Sequence, residues 1–304
     1  MISAPQPEAV EAGIEVLKAG GNLIDATVCA ALVQTAVDPQ MCGIAGFGNI
    51  QIFLPEKGVH TTFDFHGRAP KAVKSDIWES LIEREAEDGW GFILSGRENE
   101  FGYGSISTPR TLATLDTILN LYGTQSLKEL IQPAIEYCRN GVLIRPHMSS
   151  YWNMPATAGR DPNISMVNKF KETQKIYCDE SGLVKKVGDL LLNPDMGQLY
   201  QDIGNYGVNH FYSGEISQRI ILDMQKNGGL LAIEDLQECT PEEHPPLWGT
   251  FFDYKIATNN PPGGGVMLVE MLNILEEFDL KGMGHNSVEY IKVVSEVMKI
   301  ATID

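Results

Sequence analysis

The sequence is short of basic residues and of long apolar runs. It has 23 Lys and Arg against 40 Asp and Glu, which gives a formal net charge of −17. A surface of that sign repels a nucleic-acid backbone and an anionic membrane, so neither is expected as a partner. No apolar run approaches the roughly 18 residues of a membrane span. No basic and apolar leader precedes the first predicted elements, and the sequence therefore predicts no targeting segment.

Paired cysteines are also lacking. The five cysteines are odd in number, far apart and form no C-x-x-C pair. A disulfide framework and a structural zinc site are therefore not expected. Cys29 and Cys138 fall in apolar helical stretches and are interpreted as small core residues. This usage is typical of a reducing compartment, and we expect a cytoplasmic protein.

Two common catalytic motifs are missing as well. No Gly-x-Ser-x-Gly elbow occurs, which argues against an α/β-hydrolase. The Gly-rich run Gly43–Gly48 is not followed by Lys-Ser/Thr, and it precedes a strand instead of opening a helix. A nucleotide-binding loop is therefore not favoured, and close backbone packing beside a site explains these glycines better.

What the chain does have is enough apolar sequence for a large core. Its 304 residues are 43% hydrophobic, which suits one or two domains. Segments with helical spacing and helix caps are interspersed with β-rich runs in no regular order, and this order predicts an α+β protein. The predicted helices cover 7–18, 23–36, 75–87, 109–122, 126–139 (bent at Pro133), 194–204, 216–227, 266–277 and 287–303, and the predicted strands cover 1–4, 48–54, 59–65 and 251–257. The second helix is apolar on nearly all sides and is expected to be buried.

Two polar stretches stand out as candidate sites. The predicted hairpin 48–65 ends in the elbow His66-Gly67-Arg68, which is either a binding site or a solvated turn whose Arg pairs with an acidic neighbour. The long loop 89–104 carries Arg97, Asn99 and Tyr103, and loops of this length often carry function or cover a cleft. These three residues equally fit a role in packing that loop.

The last helical pattern is still complete at Val297, Ile300 and Ala301 when the sequence reaches Asp304. Since no cap or glycine terminator follows, we expect either a fragment or a fold that another polypeptide completes.

Several blocks of sequence, in order along the chain, carry a resemblance. They are Glu11–Gly13, Leu17–Asn22 with Asp25-Ala26, Gly43–Gly48, Asp64–Pro70, Tyr122-Gly123 with Leu130–Ile135, Gly228–Leu231 with Glu234–Leu236, Pro261–Gly265, and Leu272–Glu276. Together they resemble the large, N-terminal subunit of the gamma-glutamyltranspeptidase family. The resemblance implies a four-layer αββα sandwich of the N-terminal-nucleophile (Ntn) hydrolase type. Residues 1–304 would form the single large-subunit part of one such domain, completed by a second chain or a C-terminal segment.

The resemblance also implies a chemistry. Family members cut themselves into two subunits and use a Thr at the new N-terminus of the small subunit as nucleophile, with its own α-amine as base. That Thr would lie beyond Asp304, so no catalytic residue is expected in this chain. The implied activity is amide hydrolysis or acyl transfer on a small-molecule substrate, without metal or organic cofactor. The implied partner is the small subunit, and a dimer of such heterodimers is a further expectation.

The chain departs from the family at the substrate-binding motif. In the family an Arg follows the Asp-Phe pair and binds the α-carboxylate of the glutamyl group, whereas here that position is His66. A neutral His cannot make the bidentate contact of an Arg, but Arg68 lies two residues on and points to the same side of an extended segment. We therefore expect His66 and Arg68 to bind substrate, with Arg97, Asn99 and Tyr103 as weaker candidates.

Further residues bear on specificity. Ala45 and Phe47 replace glycines of the family's Gly-rich run and narrow the space beside the pocket. The acyl group is accordingly not expected to be strictly gamma-glutamyl. His147 and His285 are interpreted as capping or packing residues.

Two alternatives remain open from the sequence. One is a catalytically inactive relative that binds or scaffolds, and the other is a two-lobed solute-binding protein. A Thr or Ser at a self-cleavage junction downstream would identify the enzyme, whereas a signal peptide upstream would favour a solute-binding protein or a periplasmic enzyme.

Overall fold

The computed structural model describes residues 1–303 of the chain. The helices are α1 (Pro7–Lys18), α2 (Leu23–Val37), α3 (Thr111–Tyr122), α4 (Leu127–Leu130), α5 (Gln132–Asn140), α6 (Pro146–Trp152), α7 (Asn163–Lys169), α8 (Lys171–Tyr177), α9 (Pro194–Tyr206), α10 (Asn209–Tyr212), α11 (Glu215–Lys226), α12 (Ile233–Gln237), α13 (Gly265–Leu275), α14 (Leu280–Met283) and α15 (Val288–Ile303). The strands are β1 (Asn49–Leu54), β2 (Val59–Asp64), β3 (Ile82–Glu85), β4 (Phe92–Leu94), β5 (Val142–Leu143), β6 (Leu190–Leu191), β7 (Glu242–His244), β8 (Leu247–Phe251) and β9 (Tyr254–Thr258). Helices and strands follow each other without regular βαβ alternation, which confirms the α+β prediction.

The chain divides into two compact units. The first unit comprises Met1–Gly46 and Gly67–Cys239, and the second comprises Phe47–His66 and Thr240–Asp304. The prediction that 1–304 form part of one domain is not tested by this division and stays a prediction. No helix within residues 1–303 combines the length and the apolar character that crossing a bilayer requires.

The core of the first unit is built around α2. Val28, Leu32 and Val33 are fully buried, and Cys29 is buried beside them. A helix that is apolar on all sides buries its whole circumference, and α1, α3 and α5 pack against α2. The prediction of a central, buried second helix is therefore confirmed. Cys138 on α5 is also buried, as predicted.

Asp25 fixes the start of α2. Asn22 caps the helix by accepting from the backbone N–H groups of Ile24 and Asp25, while Asp25 accepts in return from the N–H of Asn22 at 2.8 Å. The same carboxylate accepts from Thr124, through its N–H at 2.8 Å and its hydroxyl at 2.6 Å, and from the N–H of Gln125 at 3.1 Å. This buried acid thus joins α2 to the segment after α3.

The second unit contains an antiparallel three-stranded sheet in the order β1-β2-β7. β1 and β2 pair from Asn49 opposite Asp64 to Leu54 opposite Val59. A 3₁₀ turn over Pro55–Lys57 joins them and ends at Gly58, whose φ of 66° is a conformation that glycine adopts readily. The predicted hairpin is confirmed. The unit also contains the β8–β9 hairpin, against which α13 packs, and α15, which packs on α13.

Three predicted elements are wrong. Residues 75–87 form turns, a 3₁₀ turn at Glu79–Leu81 and strand β3, because the ladder with β4 provides backbone partners that an exposed charged helix would lack. Residues 1–4 have no regular structure. The single strand at 251–257 is a hairpin, since the chain turns at Phe252, where φ is 48°.

Two helix boundaries also differ. α3 begins at Thr111 instead of Pro109, because the carbonyl of Gly46 accepts from the backbone N–H groups of Arg110 and Thr111. The predicted helix 126–139 is split at Ile131 into α4 and α5, with Pro133 in the first turn of α5. Ser126 and Glu129 form a capping box at the start of α4.

Candidate functional site

The open end of the β1–β2 hairpin carries the first candidate site. Gly48 and Phe65 exchange two backbone hydrogen bonds, with N···O distances of 3.4 and 3.0 Å. This pair continues the strand register by one step, so that Phe47 lies opposite His66. Phe65 is buried, and a Cβ on Gly48 would come within 3.2 Å of its ring. A larger residue at position 48 would therefore push against the ring of Phe65.

Asp64 and His66 form a hydrogen-bonded pair on the face opposite Phe65. Oδ1 of Asp64 accepts from the backbone N–H of His66 at 2.9 Å and lies 2.5 Å from Nδ1 of its ring. Because a carboxylate only accepts, Nδ1 carries a proton in this arrangement. The side chains are about a quarter exposed, 21% for Asp64 and 28% for His66. The ring of Phe47 lies 6.0 Å from that of His66, centroid to centroid.

The next two residues belong to the first unit and are held by the segment before α3. The backbone N–H of Arg68 donates to the hydroxyl of Thr108 at 2.8 Å, and the N–H of Thr108 donates to the carbonyl of Arg68 at 2.9 Å. Thr108 thus holds Arg68 and does not cap α3, whose N-cap residue is Arg110. The backbone of Arg68 is fixed on both sides, while its side chain is exposed.

Gly67 lies against Ser107, and this contact yields a prediction. A Cβ at position 67 would lie 2.4 Å from the hydroxyl oxygen of Ser107. We expect Gly67→Ala to lower the free energy of unfolding by about 1–3 kcal/mol, because the hydroxyl of Ser107 must rotate away and its Cβ, 3.1 Å from the added carbon, must also shift. Urea unfolding of Gly67→Ala, alone and combined with Ser107→Ala, measures the coupling between the two positions. Adding Ser107→Ala should restore part of the stability that Gly67→Ala loses.

A matched glycine controls this experiment. A Cβ on Gly43 meets its nearest neighbour only at 4.0 Å, so Gly43→Ala should change the free energy of unfolding by less than about 0.5 kcal/mol. Equal losses for both alanine variants would contradict the proposed contact between Gly67 and Ser107.

The Gly-rich run packs on the start of α3. The carbonyl of Gly46 accepts from Arg110 and Thr111, and the carbonyl of Ile44 accepts from the N–H of Leu112. These carbonyls occupy N–H groups that a phosphate would need at a helix N-terminus. The run therefore serves close backbone packing, as the sequence indicated.

Arg97, Asn99 and Tyr103 are held by contacts of their own within the first unit. Arg97 donates to the carbonyl of Gly159 at 2.9 Å and pairs with Glu100 at 3.2 Å, with only 15% of its side chain exposed. Asn99 donates to the carbonyl of Phe92, and Tyr103 donates to Asp223 at 2.9 Å. These contacts fit the packing interpretation of the loop, while substrate binding by the three residues stays a prediction.

His147 and His285, which the sequence assigns to capping or packing, lie beside polar and aromatic neighbours. Nε2 of His147 is 2.8 Å from Nε2 of Gln6 and 3.9 Å from Oδ1 of Asp38. The ring of His285 lies 6.0 Å from that of Tyr290. Among residues 1–303, no group of three or more His, Cys, Asp or Glu side chains is arranged to hold a metal ion.

The sequence places Asp64 in the motif, but it does not state that Asp64 is the hydrogen-bond partner of His66. The period of two along a strand places residues 64 and 66 on one face, and this signal could have revealed the pair. The structure brings Asp64, His66 and Phe47 together, and substrate binding by His66 and Arg68 stays a prediction.

The comparisons of this chain with known proteins agree on one family. The family model described as gamma-glutamyltranspeptidase matches residues 9–304. The chain is 29% identical over its full length to the glutathione hydrolase proenzyme of Escherichia coli (strain K12), of which it covers 50%, and 30% identical over its full length to the acylase ACY 1 proenzyme of Pseudomonas sp. (strain V22), of which it covers 52%. It therefore spans about half the length of these curated relatives.

The fold is shared with a solved structure. The gamma-glutamyltranspeptidase of Helicobacter pylori superimposes with a TM-score of 0.87 at 29% identity, over 99% of this chain and 81% of that one. This likeness confirms the predicted fold class, an α+β chain with the Ntn-hydrolase type of fold.

Proposed function

Because the chain belongs to the gamma-glutamyltranspeptidase family, we propose that it is the large subunit of a self-processing, two-chain amide hydrolase or acyltransferase. The observation that carries this proposal is the extent of the match. The family model covers residues 9–304, yet the chain spans only about half of relatives that are named proenzymes. We place the nucleophile in the part of those relatives that this chain does not match.

Exposed apolar side chains in the second unit support a partner chain. They belong to β8–β9, α13 and α15, and include Trp248, Phe252, Tyr254, Val266, Leu268, Val288, Ile291, Met298, Ile300 and Ile303. Of the eleven residues of the apolar helix α13, Gly265 alone is fully buried within the described chain. Apolar surface of this extent marks a contact surface, and the small subunit is the occupant that we propose.

The proposed reaction is acyl transfer through an N-terminal Thr. Its hydroxyl oxygen attacks the amide carbon while its α-amine takes the proton, the amine product leaves, and water or an acceptor amine releases the acyl group. Oxyanion donors stabilise the charge that develops on the carbonyl oxygen, so this chemistry requires no cofactor. In this chain, His66 would contact the acyl group, and the Asp64 hydrogen bond would orient its ring. Arg68 is the second residue that we propose for substrate binding.

The thiols of the chain support a reducing, cytoplasmic location. All five cysteines lie within residues 1–303 and are unpaired. Burial raises the pKa of the Cys29 and Cys239 thiols to about 11 and, with the nearby carboxylate of Asp38, that of Cys42 to about 12. Unpaired thiols are typical of a reducing compartment, and a cytoplasmic location remains our proposal.

Activity of the intact gene product tests the proposed function. The purified protein should release amine from at least one member of a panel of acyl anilides, and replacing the N-terminal Thr of its small chain by Ala should abolish that release. A wild-type protein that binds these amides without cleaving them would instead indicate an inactive relative or a solute-binding protein.

A further inference from the structure

We infer that Phe47 forms an aromatic wall of the acyl-binding site and that the site prefers acyl groups with an apolar, especially aryl, arm over gamma-glutamyl. This inference rests on the proposed function, because it assumes that His66 faces the acyl group. It adds a specificity-determining residue, Phe47, and a class of substrate, aryl-acyl amides.

Strand register places Phe47 beside His66. Gly48 and Phe65 exchange both backbone hydrogen bonds, which makes Phe47 and His66 the next cross-strand pair along the hairpin. Pairs that follow a hydrogen-bonded pair bring their side chains closest together. The ring-to-ring distance of 6.0 Å is within the range of aromatic contacts.

Exposure separates Phe47 from its neighbour Phe65. Phe65 is buried at 6% exposure and serves the core, whereas 64% of Phe47 remains exposed. Most of the Phe47 ring therefore stays outside the core, where it offers a face on which an aryl ring of a substrate can stack. Phe47 therefore provides an exposed apolar surface beside the Asp64–His66 pair.

The imidazole on this face offers a carboxylate fewer donors than an Arg would. Nδ1 of His66 and its backbone N–H already donate to Oδ1 of Asp64, which leaves at most Nε2 of the ring to face a ligand. An acyl group with its own carboxylate would therefore find an imidazole where an Arg could have offered two parallel donors. Aryl-acyl groups without a carboxylate do not need these donors.

The test measures kcat/KM of the processed enzyme for two anilide substrates, phenylacetyl-p-nitroanilide and gamma-glutamyl-p-nitroanilide. The wild type should show the higher kcat/KM with the phenylacetyl substrate. Phe47→Ala should lower that kcat/KM by about tenfold, since the variant loses both the aromatic stacking and the apolar contact of the Phe47 ring. The kcat/KM for the gamma-glutamyl substrate should not fall, and Phe47→Leu should retain most of the phenylacetyl activity.

Phe53 supplies a matched control. It lies on the same hairpin, is 61% exposed and pairs with His60 instead of His66. Phe53→Ala should leave the ratio of the two kcat/KM values unchanged. A ratio that responds equally to Phe47→Ala and Phe53→Ala, or a wild type that prefers the gamma-glutamyl substrate, would overturn the inference while the proposed function stands. A wild type that is not processed and cleaves no amide would overturn both.

Discussion

Replacing Asp25 by alanine is expected to lower the free energy of unfolding by about 3–5 kcal/mol. The side chain is buried and accepts from three backbone N–H groups, those of Asn22, Thr124 and Gln125, and from the hydroxyl of Thr124. Removing the carboxylate leaves these four donors without the acceptor that joins α2 to the segment after α3. Urea unfolding of the processed protein, followed by circular dichroism, measures the loss.

The pH dependence gives a second measure of the same site. Burial raises the pKa of Asp25, but the hydrogen bonds from Thr124, Asn22 and Gln125 outweigh burial and leave the pKa below its ordinary value. The stabilisation is therefore complete above about pH 3.8 and is lost as the pH falls through the lowered pKa. The difference in stability between the wild type and Asp25→Asn should accordingly shrink in strong acid.

Asp195 controls for helix-terminal charge. It lies in the first turn of α9 as Asp25 lies in that of α2, but it is exposed. Asp195→Ala should cost less than about 1 kcal/mol, since an exposed acid at a helix N-terminus contributes little. Similar losses for Asp25→Ala and Asp195→Ala would show that the buried hydrogen bonds are not what stabilises this region.

Replacing Arg68 by glutamine is expected to lower kcat/KM for gamma-glutamyl-p-nitroanilide by about ten- to a hundredfold. A hydrogen bond to a charged group contributes about 1.5–3 kcal/mol, and Arg68 is the cation of the motif in which His66 replaces the family's Arg. The kcat/KM for phenylacetyl-p-nitroanilide, which has no carboxylate, should change by less than about threefold. Steady-state kinetics with both substrates measures the two effects.

Arg68→Lys separates charge from geometry. It keeps the positive charge but loses the bidentate fork, so its activity with the gamma-glutamyl substrate should lie between those of the wild type and Arg68→Gln. The unfolding midpoints of both variants show whether the contacts of Arg68 within the protein matter for stability. Equal losses with both substrates would assign Arg68 a structural role instead of carboxylate binding.

Local sequence signals predicted the elements whose periodicity and packing agree. α2 has an Asn cap, an acidic first turn and no polar face, and each of these features favours the same buried helix. The β1–β2 hairpin combines β-branched strands with a Pro-to-Gly turn. In contrast, 75–87 has helix-forming charged residues but forms β3, because pairing with β4 lies outside any local window.

The motif in the sequence names His66 and Arg68 as candidates, and their role in substrate binding stays a prediction, as does the narrowing of the pocket by Phe47. The partnership of Asp64 with His66 depends on which face of the strand each side chain occupies. The contacts of Arg97 with Gly159 and of Tyr103 with Asp223 join residues more than 60 positions apart, and no spacing in the sequence could reveal them.

The most direct test of the account is the intact mass of the purified product of the whole gene, recorded over time. The account predicts that one precursor mass gives way to two fragment masses that sum to it, with the smaller chain beginning at Thr. Replacing that Thr by Ala should leave the precursor uncut. A wild-type protein that stays a single uncut chain would contradict the proposal that this chain is the large subunit of a self-processing amide hydrolase.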